Sequence, residues 1–351
     1  MHTKRTELMR ASRLYGVRDL RLETLPRPEP GPGEVLLRVA AVGVCGSDVH
    51  YYREGRIGSQ IVTDPIIMGH EFSAWVAGLG EGVENLHVGQ LVTVEPGISC
   101  GECESCRTGD PNLCPEVRFC GTPPVDGVFA EYTVMPAENC FALPEGWSAV
   151  QGAMLEPLGI AIHTVDLAHL VAGSTVAVLG AGPIGLLTAA VARAAGAADI
   201  VMTEPLAHRR QFARDFVADA VLDPQTVDVV AEVMRRTRAR GVDVAFECAG
   251  APETPQQAAA MARRGGKLIL CGIPADDTLT LNASTVRRRG LTIKLVRRMK
   301  HTYPRAIHLV ECGMVDVNPL VTHRLPLERV PDAFELVSGY QDGVLRAVIE
   351  C

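Results

Sequence analysis

The spacing of apolar positions changes character about midway along the chain. From Glu34 to about Phe141, short apolar runs alternate with Gly- and Pro-rich turns, a pattern typical of β-strands. The strongest of these runs predict strands at Val35–Val44, Leu91–Glu95 and Val128–Val134. This part of the chain therefore predicts a β-rich domain.

Beyond about Leu155, apolar runs of strand length alternate with segments of helical periodicity. The predicted strands are Thr175–Gly180, Ile200–Thr203, Val242–Phe246 and Gly266–Cys271. The predicted helices are Ile184–Ala195, Leu206–Phe216 and Pro252–Ala262, followed in a less regular region by Pro304–Cys312 and Arg329–Ser338. Regular strand–helix alternation predicts a parallel, doubly wound sheet.

These two patterns of apolar positions define the expected domain organisation. A chain of 351 residues has the length of about two domains. The simplest division is an α/β domain at 158–297 that interrupts a β-rich domain made of 1–157 and 298–351. We find no internal repeat and no low-complexity linker.

Composition narrows the possible partners. Hydrophobic residues make up 47% of the chain and charged residues 21%, which is enough apolar material for sizeable cores. The formal net charge of −7 argues against a nucleic-acid partner, which would require a basic face. The basic run Arg287–Arg289 is predicted to be a solvated helix face, with polyanion binding as the less favoured alternative.

The chain lacks the features of exported or membrane-spanning proteins. Met1–Arg10 carries three basic residues and no apolar core of the kind found in signal peptides. The longest stretch without formal charge, between Asp166 and Arg193, is broken by glycines into a strand and a helix. We therefore expect a cytoplasmic protein whose eleven cysteines are thiols and metal ligands rather than disulfides.

A glycine motif marks a nucleotide site at the start of the α/β domain. Gly180-x-Gly182-x-x-Gly185, with Pro183 and Ile184 inside it, directly follows a predicted strand and opens a predicted helix. The three glycines allow a tight turn, close approach of a pyrophosphate and close helix–strand packing. The helix N-terminus supplies N–H groups for the anion. This context predicts dinucleotide binding.

An acidic residue beyond the motif bears on the choice of dinucleotide. Glu204 follows the next predicted strand, where a carboxylate would bind a ribose diol and repel a 2′-phosphate. This favours NAD over NADP. Arg209, which we include among the cofactor-binding residues, and Arg210 lie close by and weaken that preference. Alternatively, Glu204 only complements a helix dipole.

Four cysteines predict a structural zinc site. Cys100, Cys103, Cys106 and Cys114 have the spacing C-x2-C-x2-C-x7-C within a loop rich in Gly, Asp and Pro. Four thiolates at short spacing form a closed tetrahedral site that contributes folding energy and no chemistry.

A second set of ligand types is dispersed along the chain. Cys45, the His70–Glu71 pair and Glu156 offer a thiolate, an imidazole and carboxylates, the mixture found at catalytic zinc sites. Three of these residues also have separate explanations: Cys45 as a small buried thiol, His70 as a core histidine and Glu156 as the start of a helix. Spacing alone does not decide whether these residues form a second zinc site.

Several long segments resemble one enzyme family. GVCGSDVHYYREGRIG, GHEFSAWVAGLGEGV, CGTPPVDGVFAEY and MLEPLGIAIHTV resemble the zinc-containing medium-chain dehydrogenases, and most of all the sorbitol and xylitol dehydrogenases. The resemblance runs from about Glu34 to the C-terminus and includes PLVTHRLPLE. It implies an α/β fold with a GroES-like catalytic domain and a Rossmann domain. The implied reaction is oxidation of a secondary alcohol with hydride transfer to NAD.

The resemblance also implies roles for residues near the metal. Cys45 and His70 match catalytic zinc ligands, and Glu71 matches the carboxylate that replaces a cysteine ligand in sorbitol dehydrogenases. Glu156 matches a glutamate that either ligates the metal or reaches it through water, and both possibilities stay open here. The four-cysteine lobe is also a family feature, although animal sorbitol dehydrogenases often lack its ligands.

Further roles concern the proton path and the substrate. Ser47 and His50 match a catalytic proton relay through the cofactor ribose. Tyr51, Phe119 and Arg298 match positions that line a polyol pocket. By family habit we expect a homo-oligomer, a tetramer or a dimer.

One segment departs from the family pattern. Polyol dehydrogenases usually read F-R-Y-x-N-T-Y-P where this chain has Arg297-Arg298-Met299-Lys300-His301-Thr302-Tyr303-Pro304. Met299 therefore replaces a tyrosine hydroxyl in the expected pocket, and an unmatched buried polar group costs about 1–3 kcal/mol. Threonine- and 2,3-butanediol-type zinc dehydrogenases are alternatives, and a non-catalytic zinc- and nucleotide-binding protein is a more distant one. Tyr51 and the turn at Gly55–Gly58 favour a polyol.

Overall fold

The computed structural model describes residues 7–351, and the chain forms two compact units. The first unit contains the chain up to Glu156 and again from Val317, and the second contains Pro157–Asp316. Residues 1–6, which belong to the N-terminal segment Met1–Arg10 discussed above, lie outside the described residues.

The first stretch of the chain is built mainly of strands. These are β1 (Leu8–Gly16), β2 (Asp19–Pro26), β3 (Glu34–Gly43), β4 (Arg56–Ile57), β5 (Gln60–Ile61), β6 (Ile66–Ile67), β7 (Glu71–Leu79), β8 (Leu91–Val94), β9 (Gly97–Ile98), β10 (Arg118–Phe119), β11 (Tyr132–Pro136) and β12 (Cys140–Ala142). The helices are α1 (Gly46–Glu54), α2 (Glu104–Arg107) and α3 (Ala149–Ala153), with 3₁₀ turns at Pro111–Leu113 and Ala137–Asn139.

Strands and helices then alternate. The elements are α4 (Leu155–Ala168), β13 (Thr175–Leu179), α5 (Pro183–Ala194), β14 (Asp199–Thr203), α6 (Ala207–Phe216), β15 (Ala220–Leu222), α7 (Val229–Arg236), β16 (Val242–Glu247), α8 (Thr254–Met261), β17 (Ala262–Leu270), α9 (Ala283–Arg289), β18 (Thr292–Leu295) and α10 (Tyr303–Glu311). The chain ends with β19 (Val321–Pro326), α11 (Val330–Ser338) and β20 (Arg346–Glu350), with 3₁₀ turns at Asn318–Leu320, Leu327–Arg329 and Gln341–Gly343.

The first unit is organised around a mixed sheet in the order β12-β8-β7-β3-β20-β19, with β11 also paired to β3. Apolar side chains on both faces of β3 are buried, because this strand lies in the middle of the sheet. Phe334 of α11 packs edge-on against Tyr52 and Phe129, with ring centroids 5.3 and 5.5 Å apart. The C-terminal segment thereby completes the core of this unit.

The second unit is a parallel sheet in the order β15-β14-β13-β16-β17-β18. This is the doubly wound order in which dinucleotides bind at the carboxyl ends of the central strands, where the strand order reverses. The predicted α/β fold class, with one β-rich and one Rossmann-type domain, is confirmed.

Two details differ from the sequence-based expectation. Only the end of the predicted strand Val128–Val134 lies in β11, because the N–H groups of Val128 and Phe129 bond irregularly to the carbonyl of Met68. The second unit extends to Asp316, whereas the predicted domain boundary fell at residue 297.

The extension of the second unit has a visible cause. Arg305 of α10 forms an ion pair with Asp166 of α4, with Nη1 2.5 Å from Oδ2. Thr302 and Met299 approach α4 so closely that a Cβ on Gly159 would lie 2.3 Å from the Met299 sulfur. These contacts attach residues 298–316 to the second unit.

No helix among residues 7–351 is both long and apolar enough to cross a membrane.

Candidate active site

Three potential metal ligands converge in the first unit. A ligand atom from each of Cys45, His70 and Glu71 lies within 4.8 Å of the others, and His70 and Glu71 are buried. Sheet register explains the convergence, because Gly43 at the end of β3 pairs with Glu71 at the start of antiparallel β7. Cys45, the N-cap of α1, follows β3 by two residues and so lies beside His70.

Asp48 connects two of these ligands and was not predicted from the sequence. Its Oδ2 accepts the N–H of Cys45 at 3.1 Å, and its Oδ1 lies 3.3 Å from Nδ1 of His70. Oδ1 also accepts the N–H of Gly69 at 3.3 Å. A carboxylate on Nδ1 orients an imidazole so that Nε2 is available to a metal. The signal in the sequence was an acidic residue three positions after the helix N-cap, a capping-box position.

Arg346 is a second residue that sequence reasoning missed. It is 3% exposed, forms an ion pair with Glu71, and donates Nη1 to the carbonyl of Val44 at 3.0 Å. A Cβ on Gly43 would lie 2.4 Å from Oε2 of Glu71, so only glycine leaves room for this pair. The available signal was an arginine directly followed by the apolar run Ala347–Ile349 in β20, since a buried cation requires a partner.

The electrostatics and donor types of the cluster fit zinc. Burial raises the pKa of the Cys45 thiol, but the neighbouring His70 and Arg346 hold it at about 7, which favours a thiolate. Oε1 of Glu71 has no hydrogen-bond partner among the described residues although it is buried. A thiolate, an imidazole and a carboxylate with an unsatisfied oxygen form a suitable set of three ligands.

Glu156 lies near this set without joining it. Burial raises the pKa of Glu156 to about 8, with the charges of Cys45 and Glu95 adding to the effect and that of His70 opposing it. Among the described residues, the group of ligand atoms within 4.8 Å of one another contains Glu71 and not Glu156.

The other site residues predicted in the first unit lie in α1 or beside the three potential metal ligands. The ring of Phe119 is 5.2 Å from that of His70. Tyr51 is buried in α1 and donates its hydroxyl to Gln60 at 3.2 Å. Ser47 and His50 are three positions apart on α1, which places them on one helix face.

Arg298, the third predicted pocket residue, lies in the second unit between β18 and α10, at a φ of 54°. The neighbouring Met299 is 3% exposed and packs against Gly159. Its side chain therefore contributes to the interior of the second unit.

The four predicted cysteine ligands form a separate cluster. Sγ of Cys100 lies 3.5 Å from Sγ of Cys114 and 4.0 Å from Sγ of Cys106, and all four ligand atoms, including that of Cys103, lie within 4.8 Å of one another. A tetrahedral zinc with Zn–S bonds of about 2.3 Å requires sulfur–sulfur separations of about 3.8 Å. The cysteines are free thiols at distances that fit zinc.

The glycine motif adopts the turn that its sequence predicted. Gly180 has a φ of 96°, and Gly182 is the N-cap of α5, with Pro183 and Ile184 in its first turn. A Cβ on Gly185 would lie 1.9 Å from the carbonyl oxygen of Gly180. Only glycine at 185 lets the helix begin this close to the loop.

Glu204 is held against this loop. It is 4% exposed, and its two carboxylate oxygens accept the N–H groups of Ala181 at 2.9 Å and Leu206 at 3.0 Å. Arg209 is also buried, and its Nη1 would lie 3.6 Å from a Cβ on Gly182. The side chain of Arg210 is paired with Asp223 at 2.9 Å.

Comparison with known proteins gives consistent matches along the chain. Residues 31–145 match the alcohol dehydrogenase GroES-like domain family, and residues 183–311 match the zinc-binding dehydrogenase family. A sorbitol dehydrogenase from Bacillus subtilis (strain 168) is 40% identical over 341 residues, 97% of each chain.

Solved structures agree with these matches. The 2R,3R-butanediol dehydrogenase from Bacillus subtilis superposes with a TM-score of 0.88 at 33% identity, covering 98% of this chain and 99% of that one. A Sinorhizobium meliloti 1021 structure bound to NADP superposes with a TM-score of 0.90 at 34% identity, covering 98% and 100%.

Proposed function

This chain belongs to the zinc-containing medium-chain dehydrogenases, and we propose that it oxidises a secondary hydroxyl of a sorbitol- or xylitol-type polyol to the ketose, with NAD as the hydride acceptor. Membership of the family makes the chain a zinc-dependent alcohol or polyol dehydrogenase with a nicotinamide cofactor. The main support for a polyol as the substrate is the Cys45–His70–Glu71 cluster, in which the third donor is a carboxylate. The 40% identity to a sorbitol dehydrogenase supports the substrate class.

The catalytic metal would be held by Cys45, His70 and Glu71. Zinc at such a position supplies Lewis acidity to a bound substrate hydroxyl. Asp48 orients the imidazole of His70, and Arg346 fixes the carboxylate of Glu71. Both positioning residues are buried, so the ligands keep their orientation without help from solvent.

Glu156 is suited to hydrogen-bond a water or a hydroxyl beside these ligands. It is 3% exposed, and its raised pKa of about 8 would fall next to a divalent cation, which favours the carboxylate form. We propose Glu71 as the direct ligand and Glu156 as its neighbour.

Ser47 and His50 are proposed to carry the substrate proton toward solvent. Burial lowers the pKa of His50 from 6.5, with Arg53 contributing in the same direction and Glu54 opposing it, so the imidazole is neutral at pH 7 and able to accept a proton. The His50 side chain is 27% exposed, with Nδ1 3.8 Å from Oε1 of Glu54. A proton on His50 can therefore leave to water.

Tyr51, Phe119 and Arg298 are proposed as substrate contacts. Phe119 packs on a metal ligand and offers an apolar surface to the carbon chain. Tyr51 offers a phenolic oxygen that already bonds Gln60, and a hydroxyl oxygen can take part in more than one hydrogen bond.

The preference for NAD rests on Glu204. Its buried position against Ala181 places a negative charge beside the glycine loop, where it would repel a 2′-phosphate. Arg209 near Gly182 offers a counter-charge to the pyrophosphate. A related structure binds NADP, so initial rates with NAD and with NADP test this point directly.

A 2,3-butanediol-type activity is the second candidate, favoured by the structural match to that enzyme. Comparing kcat/KM for sorbitol, xylitol, galactitol, threonine and 2,3-butanediol with NAD distinguishes the two. We expect the highest value for a polyol. A higher value for butanediol or threonine would transfer the assignment to that class.

A further inference from the structure

A cavity in the second unit is lined by an unusual concentration of arginines. Its volume is about 640 Å³, and half of its ten lining residues are arginines: Arg240, Arg263, Arg264, Arg288 and Arg289. We call this group the arginine cavity. The basic run that the sequence predicted to be a solvated helix face thus contributes two of its members to a concave site.

The arginine cavity lies far from the dinucleotide loop. Arg240 precedes β16, Arg263 and Arg264 lie in the first residues of β17, and α9 ends with Arg289. The cavity is therefore at the amino ends of the parallel strands, whereas the loop at Gly180 follows the carboxyl end of β13. Strands of this length span roughly 17–20 Å, so one small ligand cannot touch both places.

Hydrogen bonds to the backbone hold several of these side chains in place. Arg264 donates Nη1 to the carbonyl of Arg288 at 3.0 Å, and Arg289 donates Nη1 to the carbonyl of Ala262 at 2.7 Å. A guanidinium has five N–H donors, so each of these arginines retains donors for a ligand. Positioned side chains lose little entropy when a ligand binds.

The positive charge of the cavity is only partly compensated. Asp243 forms ion pairs with Arg240 at 2.6 Å and with Arg263 at 2.7 Å. Within residues 7–351, no carboxylate forms an ion pair with Arg264, Arg288 or Arg289. The chain as a whole carries a net charge of −7, so this local excess is not a consequence of overall composition.

From this arrangement we propose that the arginine cavity binds a small anion carrying two or more phosphate groups. Guanidinium groups bind phosphate oxygens through paired, charge-assisted hydrogen bonds. Three uncompensated guanidinium groups match an anion of several negative charges, and the hydroxyl of Ser284 is a further donor in the lining. The volume is within the range of small-molecule sites, about 300–1,000 Å³.

The test is isothermal titration of the full-length zinc-loaded protein with inorganic tripolyphosphate, at low ionic strength and with NADH at saturation. Saturating NADH keeps the probe away from the glycine loop. We expect the double substitution Arg264→Gln/Arg288→Gln to weaken binding by about tenfold or more, because it removes two charge-assisted contacts. The charge-matched control Arg214→Gln/Arg287→Gln changes two exposed arginines outside the cavity lining and should bind like the unsubstituted protein.

Several results would overturn the proposal. They are equal weakening in both double variants, or no binding by the unsubstituted protein in the presence of saturating NADH. If the cavity variant does not fold, as judged by its thermal unfolding midpoint, Arg288→Gln alone is the test, because no side-chain hydrogen bond is described for Arg288. Arg288→Gln should then weaken tripolyphosphate binding several-fold relative to Arg287→Gln alone. Equal affinities of these two single variants would contradict the proposal.

Two further titrations identify the source of the anion. Binding of ATP with the same dependence on Arg288 would show that the site accepts a nucleoside oligophosphate, and preference for tripolyphosphate would indicate the inorganic form. Tighter binding of a short DNA duplex than of either probe would contradict a small-anion site.

Discussion

Oδ1 of Asp48 lies 3.3 Å from Nδ1 of His70, and both side chains are buried. The same carboxylate receives the N–H of Cys45, so it joins the start of α1 to the residue before β7. Two of the proposed zinc ligands are therefore positioned by one side chain that does not itself belong to the ligand set.

Replacing this carboxylate should weaken the catalytic metal site. We expect Asp48→Asn to lower zinc affinity by about 10–100-fold, the usual cost of losing an outer-shell carboxylate on a histidine ligand. Competition with a chromophoric zinc chelator measures the change, and exposed Asp64→Asn is the control. Unaltered zinc affinity in Asp48→Asn would show that the contact to His70 does not support the metal.

The four-cysteine cluster should bind its own zinc and stabilise the fold. We expect Cys103→Ser to lose one zinc of the two that the ligand clusters predict, and to lower the thermal unfolding midpoint, because a closed zinc site contributes folding energy. Elemental analysis and calorimetry measure these effects. Cys312→Ser, at an exposed cysteine outside both clusters, should retain all its zinc. Full zinc content in Cys103→Ser would refute the assignment of that residue as a ligand.

Dinucleotide binding should depend on the space at Gly185. In Gly185→Ala the new methyl group would meet the carbonyl of Gly180 at 1.9 Å, so the loop must move. We expect NADH affinity, measured by fluorescence titration, to fall by about tenfold or more, since the pyrophosphate depends on close approach of this loop. Gly16→Ala, where a Cβ has nothing within 4 Å, is the control. Equal NADH affinity in Gly185→Ala and Gly16→Ala would argue that the loop does not hold the dinucleotide.

The proposed proton relay predicts a pH-dependent defect. Burial, aided by Arg53, lowers the pKa of His50 from 6.5, whereas Glu54 opposes this shift. His50 is neutral above that lowered pKa and can accept a proton at neutral and mildly acidic pH. We expect His50→Ala to reduce kcat by about 10-fold or more near pH 6, and much less near pH 9, where hydroxide accepts the proton.

A pH–rate profile of kcat for His50→Ala and the unsubstituted enzyme tests the relay. His50→Gln, which keeps a polar side chain but cannot titrate, should behave like His50→Ala. A defect of the same size at every pH would indicate a structural role for His50.

Features encoded by local sequence were predictable. The spacing of Cys100–Cys114 and the glycine motif both define their sites within a few residues of chain. The ligands Cys45 and His70 lie far apart in the sequence. Their assignment to one site came from the family resemblance and not from their spacing. Their convergence depends on the pairing of β3 with β7.

Residues that act through tertiary contacts were missed. Arg346 reaches Glu71 only because β20 pairs with β3, a register that periodicity cannot specify. The second unit extends to Asp316, beyond the predicted boundary at residue 297, and the contacts of Arg305 and Met299 with α4 that hold this segment connect distant parts of the chain. The arginine cavity likewise gathers residues from separate elements, and only one segment of it stood out as a basic run.

The most direct test of the central claim is the initial rate of NADH formation from NAD with sorbitol and with xylitol, before and after removal of zinc. We expect turnover of at least one polyol, loss of that turnover on chelation, and its recovery when zinc is returned. Cys45→Ser should remain folded and show no recovery. Turnover that persists in zinc-free enzyme or in Cys45→Ser, or no turnover of any polyol by folded, zinc-loaded protein, would contradict the account.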